Sequence, residues 1–100
     1  MLTGKQKRFL RALGHGLKPV IQIGKKELED GVVAETERAL AHHELVKVKL
    51  LESCLMDRRE AAEQLSTVCR AEIAQVLGRT FLLYRRADEP RLVLPSSQDA

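Results

Sequence analysis

The stretch PVIQIGKKELEDGVVAETERALAHHELVKVKLL, residues 19–51, carries the pattern that decides the fold. It opens with Val20, Ile21 and Ile23 behind Pro19, a short β-branched run that stops at Gly24. It closes with ELVKVKLL, residues 44–51, where Val46, Val48 and Leu50 share one face of a strand and Leu45, Lys47 and Lys49 share the other. Between them Leu28, Val32, Thr36, Ala39 and Leu40 recur at the spacing of one buried helix face, which predicts a helix from Leu28 to His42. Glu27, Glu29 and Asp30 lie at its start and His42 and His43 at its end, the polarity that a helix dipole favours. Strand, helix and strand in this order make a β-α-β unit with parallel strands and a right-handed crossover.

Outward from this unit, residues 3–13 read as a helix that Thr3 caps and Gly14 and Gly16 end, with Phe9, Leu10 and Leu13 as its apolar stripe. On the other side Asp57 caps a helix over 57–74, whose stripe is Ala61, Ala62, Leu65, Val68, Cys69 and Ile73. Strands at 75–78 and 80–86 follow, joined through Gly78-Arg79 as a tight hairpin. The expected fold is an α/β sandwich in the order α-β-α-β-α-β-β, with three helices and a four-stranded mixed sheet in two or three layers. One hundred residues suffice for one domain, placed at 1–86. Residues 87–100 hold Asp88, Glu89, Pro90 and Pro95 and are expected to form a partly extended or disordered tail.

Charge is distributed unevenly along the chain. No acid precedes Glu27, while that stretch holds Lys5, Lys7, Arg8, Arg11, Lys18, Lys25 and Lys26; the remainder is net acidic. A field of this kind steers toward a polyanion, and nucleic acid is the usual partner; a solvated helix face with a few turn lysines would have the same composition. Phe9, Phe81 and Tyr84 are the whole aromatic set, too few to stack base after base. No apolar run reaches bilayer length, and the basic N-terminus lacks the apolar core of a signal peptide. A mitochondrial presequence shares the composition of that N-terminus, but the same residues read as the first helix. The expected compartment is the cytoplasm. Cys54 and Cys69 form no CxxC pair and read as buried thiols.

No phosphate-binding glycine loop of the Walker type, dinucleotide fingerprint, HExxH or GxSxG occurs, so no enzyme, cofactor or metal site is expected. His15, His42 and His43 are the only candidate acid/base groups, and adjacent histidines on a helix diverge. The most informative local feature is Gly24-Lys25-Lys26, where a strand ends and a helix is expected to begin. Unpaired amides at a helix start, two lysines and a glycine without Cβ together suit a phosphate. Tyr84, with Arg85 and Arg86 beside it, is a candidate stacking platform.

Four stretches carry a family resemblance: LTGKQKRFLRAL at 2–13, GHGLKPVIQIG at 14–24, HHELVKVKL at 42–50 and GRTFLLYRR at 78–86. In this order they resemble the YhbY family, bacterial stand-alone versions of the CRM (chloroplast RNA splicing and ribosome maturation) domain. The resemblance implies a fold similar to the C-terminal domain of initiation factor 3. It also implies RNA binding in ribosome assembly, on ribosomal RNA of the large-subunit precursor. A GxxG loop in that family is similar to the loop with which KH domains clamp RNA backbone. Here the loop is Gly24-Lys25-Lys26-Glu27, with Glu27 in place of the second glycine, where it is expected to cap the new helix and point away from the loop mouth. The expected RNA-contacting residues are Lys18, Gly24, Lys25 and Lys26, with Lys5, Arg8 and Arg11 extending the track. The alternative is a protein–protein adaptor on pre-ribosomal particles, docking through Leu82, Tyr84 and the helix faces.

Overall fold

The alternation in residues 44–51 sets the centre of the molecule. In the computed structural model, which describes residues 1–96, β2 (Leu45–Leu50) is an inner strand whose Val46, Val48 and Leu50 are buried on one face. It pairs in parallel with β1 (Ile21–Ile23), Ile21 opposite Val48, and antiparallel with β4 (Thr80–Tyr84), Phe81 opposite Val48. β3 (Glu72–Leu77) pairs with β4 alone, so the sheet order is β1-β2-β4-β3. The helices are α1 (Gly4–Gly14), α2 (Asp30–His43) and α3 (Arg58–Cys69). Element order, strand count and mixed pairing are those expected from the sequence.

The sheet is covered on both faces, which makes three layers. α2 and α3 cover the face of Ile21, Ile23, Val46, Val48, Phe81 and Leu83. Removing each such side chain from water contributes roughly 1.5–3 kcal/mol. The other face carries Leu45, Leu82, Tyr84 and Ala74 and is covered by Leu2, Phe9 and Leu10 around α1, joined by Leu92 and Leu94. Gly14 lets α1 come close: a Cβ there would stand 2.4 Å from Leu82 Cδ1. The Leu82 and Tyr84 surface expected to dock an adaptor's partner is therefore buried, because α1 and the C-terminal segment lie on it. The same burial removes Tyr84 as a stacking platform.

The helix ends follow local chemistry. Thr3 and Gln6 form a reciprocal capping box, the Gln6 amide donating to Thr3 Oγ1 at 3.2 Å and the Thr3 amide to Gln6 Oε1 at 3.0 Å. Asp57 accepts from the Arg59 and Glu60 amides, as its position suggested. α3 stops at Cys69, not at 74. Arg70 turns left-handed (φ 54°, ψ 42°), and the Ala71 amide returns to the Ser66 carbonyl at 2.8 Å. Ile73, which continues the helical stripe in the sequence, is instead a strand residue opposite Leu83. The hairpin turns at Gly78 (φ 59°), as expected. No described helix is long and apolar enough to cross a membrane. The part of the expected tail at 97–100 lies outside the described residues.

Candidate nucleic-acid interface

Gly24-Lys25-Lys26-Glu27 is a tight turn at the end of β1, closed by the Glu27 amide donating to the Gly24 carbonyl at 3.0 Å. Lys25 and Lys26 are exposed at its tip, and neither has an ion-pair partner among the described residues. Two expectations about this turn need correction. The helix does not begin beside the lysines: it starts at Asp30, behind the N-cap Glu29, whose side chain makes no capping hydrogen bond, so its first turn is set apart from the lysine tip and carries Asp30. Nor is Glu27 the helix cap. It holds φ 55°, the left-handed region that glycine adopts without cost, so the fourth loop position, where the second glycine is expected, keeps a glycine-like backbone while carrying a carboxylate. Gly24 itself is not left-handed; its hydrogen faces Ser53 Oγ and Leu51 Cδ1, which a Cβ would meet at 3.4 and 3.5 Å.

The other expected contacts lie on different elements. Arg8 and Lys18 are exposed, and Lys5 and Arg11 are half-buried. Lys5 belongs to the start of α1, near which the Leu2 amide donates to Glu72 Oε1 at 2.7 Å. That end of the sheet is opposite to the Gly24 turn, which sits beside Ile23, Leu50 and the β3–β4 hairpin. The basic track is thus divided: Lys5 and Arg8 at one end, Lys25 and Lys26 at the other, Lys18 in the connector between α1 and β1.

Lys47 and Lys49, which share a strand face in the sequence, have different tasks. Lys47 Nζ donates to the Gly14 and Leu17 carbonyls at 3.2 and 3.4 Å, satisfying the C-terminal end of α1 and anchoring the connector. Lys49 is exposed and lies in a row with Gln22 and Thr80 across three strands, beyond the end of α1. It joins the turn lysines as a cation facing solvent. Strand alternation placed it on this face; only the contact of Lys47 with α1 separates the two lysines.

The arginines of the 78–86 stretch are largely structural. Arg79 donates to the Leu50 and Leu51 carbonyls at 3.1 and 2.6 Å, tying the hairpin to the loop after β2. Arg85 pairs with Glu37 at 2.7 Å and also donates to the Cys69 carbonyl at 2.8 Å. Arg86 is exposed. His15 is the C-cap of α1, and His42 Nδ1 sits 2.8 Å from the Arg38 carbonyl, a contact within its own helix end.

Glu44 is the feature the sequence hides. It is 1% exposed and holds φ 63° at the junction of α2 and β2. Its Oε1 accepts from the Arg91 and Leu92 amides at 2.6 and 3.0 Å, and its Oε2 from the Ala87 amide at 3.3 Å. Burial pushes this carboxyl upward, but the amides of Leu92, Arg91 and Ala87 and the charge of Arg91 outweigh it, and the group titrates below the ordinary carboxylate range. Residues 87–92 are fastened to the sheet in this way, and Gln6 Nε2 holds the Pro95 carbonyl at 3.0 Å. Burial, with the Glu37 carboxylate beside it, raises the Cys69 thiol to about 11, so it stays protonated. Burial and the nearby Glu44 charge also raise Tyr84.

Residues 2–85 match the CRS1 / YhbY (CRM) domain. The chain is similar to the probable RNA-binding protein YqeI of Bacillus subtilis, with 40% identity over 93% of this chain and 97% of that one. It is similar to a probable RNA-binding protein of Pseudomonas aeruginosa, 42% identical over 89% of this chain and 86% of that one. The solution structure of a Staphylococcus aureus protein superimposes with a TM-score of 0.82 at 41% identity, covering 95% of this chain and 100% of that one.

Proposed function

The chain belongs to the CRS1 / YhbY (CRM) domain family, and on that premise we propose that it binds RNA in ribosome assembly, on ribosomal RNA of the large-subunit precursor. The observation that carries the RNA reading is the turn at 24–27, with two exposed lysines at the end of a strand whose Ile21 and Ile23 are buried in the core. Lys18, Lys25, Lys26 and Lys49 neutralise phosphates, and Arg8, Arg11 and Lys5 extend the contact along α1. Contacts of this kind fix the position of an RNA and read little of its sequence. Glu27 repels phosphate at the fourth turn position, so the grip rests on the lysines rather than on a close backbone clamp. The relatives named as RNA-binding support this reading, and the family resemblance supports the ribosomal one. The setting it implies is the cytoplasm.

The test is the double reversal Lys25→Glu/Lys26→Glu. Both side chains are solvent-exposed, so circular dichroism and melting should match the parent, while affinity for structured ribosomal RNA falls about a hundredfold or more. A folded variant with parental affinity refutes the site. Gradient sedimentation of tagged protein with crosslink mapping tests the ribosomal assignment: crosslinks in large-subunit precursor RNA support it. Retention of a protein partner after ribonuclease treatment, without RNA crosslinks, favours the adaptor.

A further inference from the structure

β1 is shorter than the edge it covers. It spans three residues and pairs only with Val48–Leu50, whereas β2 begins at Leu45. The Glu44 carbonyl accepts from the Arg85 amide, and the Leu50 amide donates to the Arg79 carbonyl. Main-chain groups of residues 44, 46, 48 and 50 therefore point toward β4, and by alternation those of Leu45 and Lys47 point to the open edge. The Lys47 carbonyl there accepts from the Val20 amide at 3.1 Å. Among the described residues, the Leu45 N–H, the Leu45 carbonyl and the Lys47 N–H have no main-chain partner.

These groups stand in an apolar groove of about 380 Å³ between α1, the connector to β1 and the start of β2. Its walls include Leu13, Leu17 and Val20, which are 39%, 38% and 51% exposed, together with Leu92. Lys18 and His43 stand on its lining. Lys47 Nζ, by holding the Gly14 and Leu17 carbonyls, keeps the α1 wall in place.

We propose that this groove holds an unpaired nucleobase of the bound RNA strand, its faces between the Leu13, Leu17 and Val20 side chains and its edge against the Leu45 and Lys47 main chain. The inference rests on the RNA-binding reading and deepens it. Three observations favour a base over an added peptide strand. The open edge is about two residues long, some 7 Å, bounded by Val20 and by the end of α2, too short for a strand of ordinary length. A donor beside an acceptor suits the hydrogen-bonding edge of a base, and apolar walls suit its two faces. Lys18 supplies a cation for the attached phosphate, and β1 leads from the groove wall at Val20 to the Lys25-Lys26 tip, roughly 13–16 Å away, so one RNA strand runs from one to the other.

The test uses oligouridylate, oligocytidylate, oligoadenylate and oligoguanylate single strands, and a strand of equal length without bases. For the parent protein, the best homopolymer binds about tenfold more tightly than the base-free strand, a difference of ~1.4 kcal/mol. In Leu13→Ala/Leu17→Ala that difference disappears, while Lys25→Glu/Lys26→Glu weakens both strands alike. In the parent, the best homopolymer moves the Leu45 and Lys47 amide resonances and the base-free strand does not. Equal affinity of the parent for strands with and without bases overturns the groove and leaves the phosphate site standing. Amides of Leu45 and Lys47 that respond to peptides but not to RNA also overturn it. Absence of binding to every strand and to structured RNA refutes the RNA reading itself.

Discussion

Replacing Glu27 by glycine separates the two effects that meet in the turn. Glu27 sits at φ 55°, and its amide closes the turn on the Gly24 carbonyl at 3.0 Å. A left-handed backbone costs a residue with a Cβ about 1–2 kcal/mol. Glycine avoids that cost but gives back about 0.4–1 kcal/mol through its greater freedom in the unfolded chain. Glu27→Gly should therefore stabilise the protein by ~1 kcal/mol, which raises the melting temperature of a domain this size by about 4–8 °C. Glu27→Ala keeps the Cβ and the left-handed backbone, so its stability should stay within about 0.5 kcal/mol of the parent. Both variants remove a carboxylate beside the lysines proposed to bind phosphate. At about 7 Å in water one such repulsion is worth ~0.6 kcal/mol, so both should bind structured RNA two- to threefold more tightly at low salt, roughly. Thermal denaturation followed by circular dichroism reads the first quantity, and fluorescence-anisotropy titration reads the second. Equal melting temperatures for the glycine and alanine variants would refute the backbone argument. An affinity gain confined to the glycine variant would refute the charge argument.

Gly14→Ala places a methyl 2.4 Å from Leu82 Cδ1, so either the buried Leu82 side chain repacks or α1 lifts from the sheet; a loss of about 1–3 kcal/mol in urea denaturation is expected, and an unchanged midpoint would contradict the packing. Glu44→Gln keeps an oxygen for the Arg91 and Leu92 amides but turns an NH₂ toward the Ala87 amide, with an expected cost of about 2–3 kcal/mol in the same assay. The folded state holds the Glu44 carboxyl below its unfolded value, so its contribution is complete above the ordinary carboxylate range and is lost as pH falls through the folded value. The melting-temperature difference between parent and Glu44→Gln should accordingly shrink in acid, and a difference that grows there would contradict the assignment.

The parts legible in the sequence are those with a short-range cause. Alternation in 44–51 fixed which side chains of β2 enter the core, and Thr3, Asp57 and Gly78 announced their caps and turn by residue type alone. The errors have long-range causes. The helical stripe runs through Ile73, but pairing with β4 recruits 72–77 as a strand, and the stop at Arg70 lacks the usual glycine. The start of α2 is the local exception: Leu28 extends the apolar period, but the backbone at Glu27 turns left-handed and the helix begins at Asp30. At the site, the exposed turn lysines were readable from charge and resemblance. Nothing next to Glu44 in the sequence marks its role, since its amide partners come from residues 87, 91 and 92. The groove at Leu45 and Lys47 was invisible for a similar reason: it exists because β1 is shorter than β2.

The central claim, that the lysines grip RNA phosphates, is tested most directly by the salt dependence of affinity for structured ribosomal RNA. Contacts from Lys18, Lys25, Lys26 and Lys49 alone predict that log K falls against log salt with a slope of about −3 to −4, steeper as Lys5, Arg8 and Arg11 also engage, and reduced by about two in Lys25→Glu/Lys26→Glu. A slope near zero for the parent protein, or the same slope in parent and variant, would contradict it.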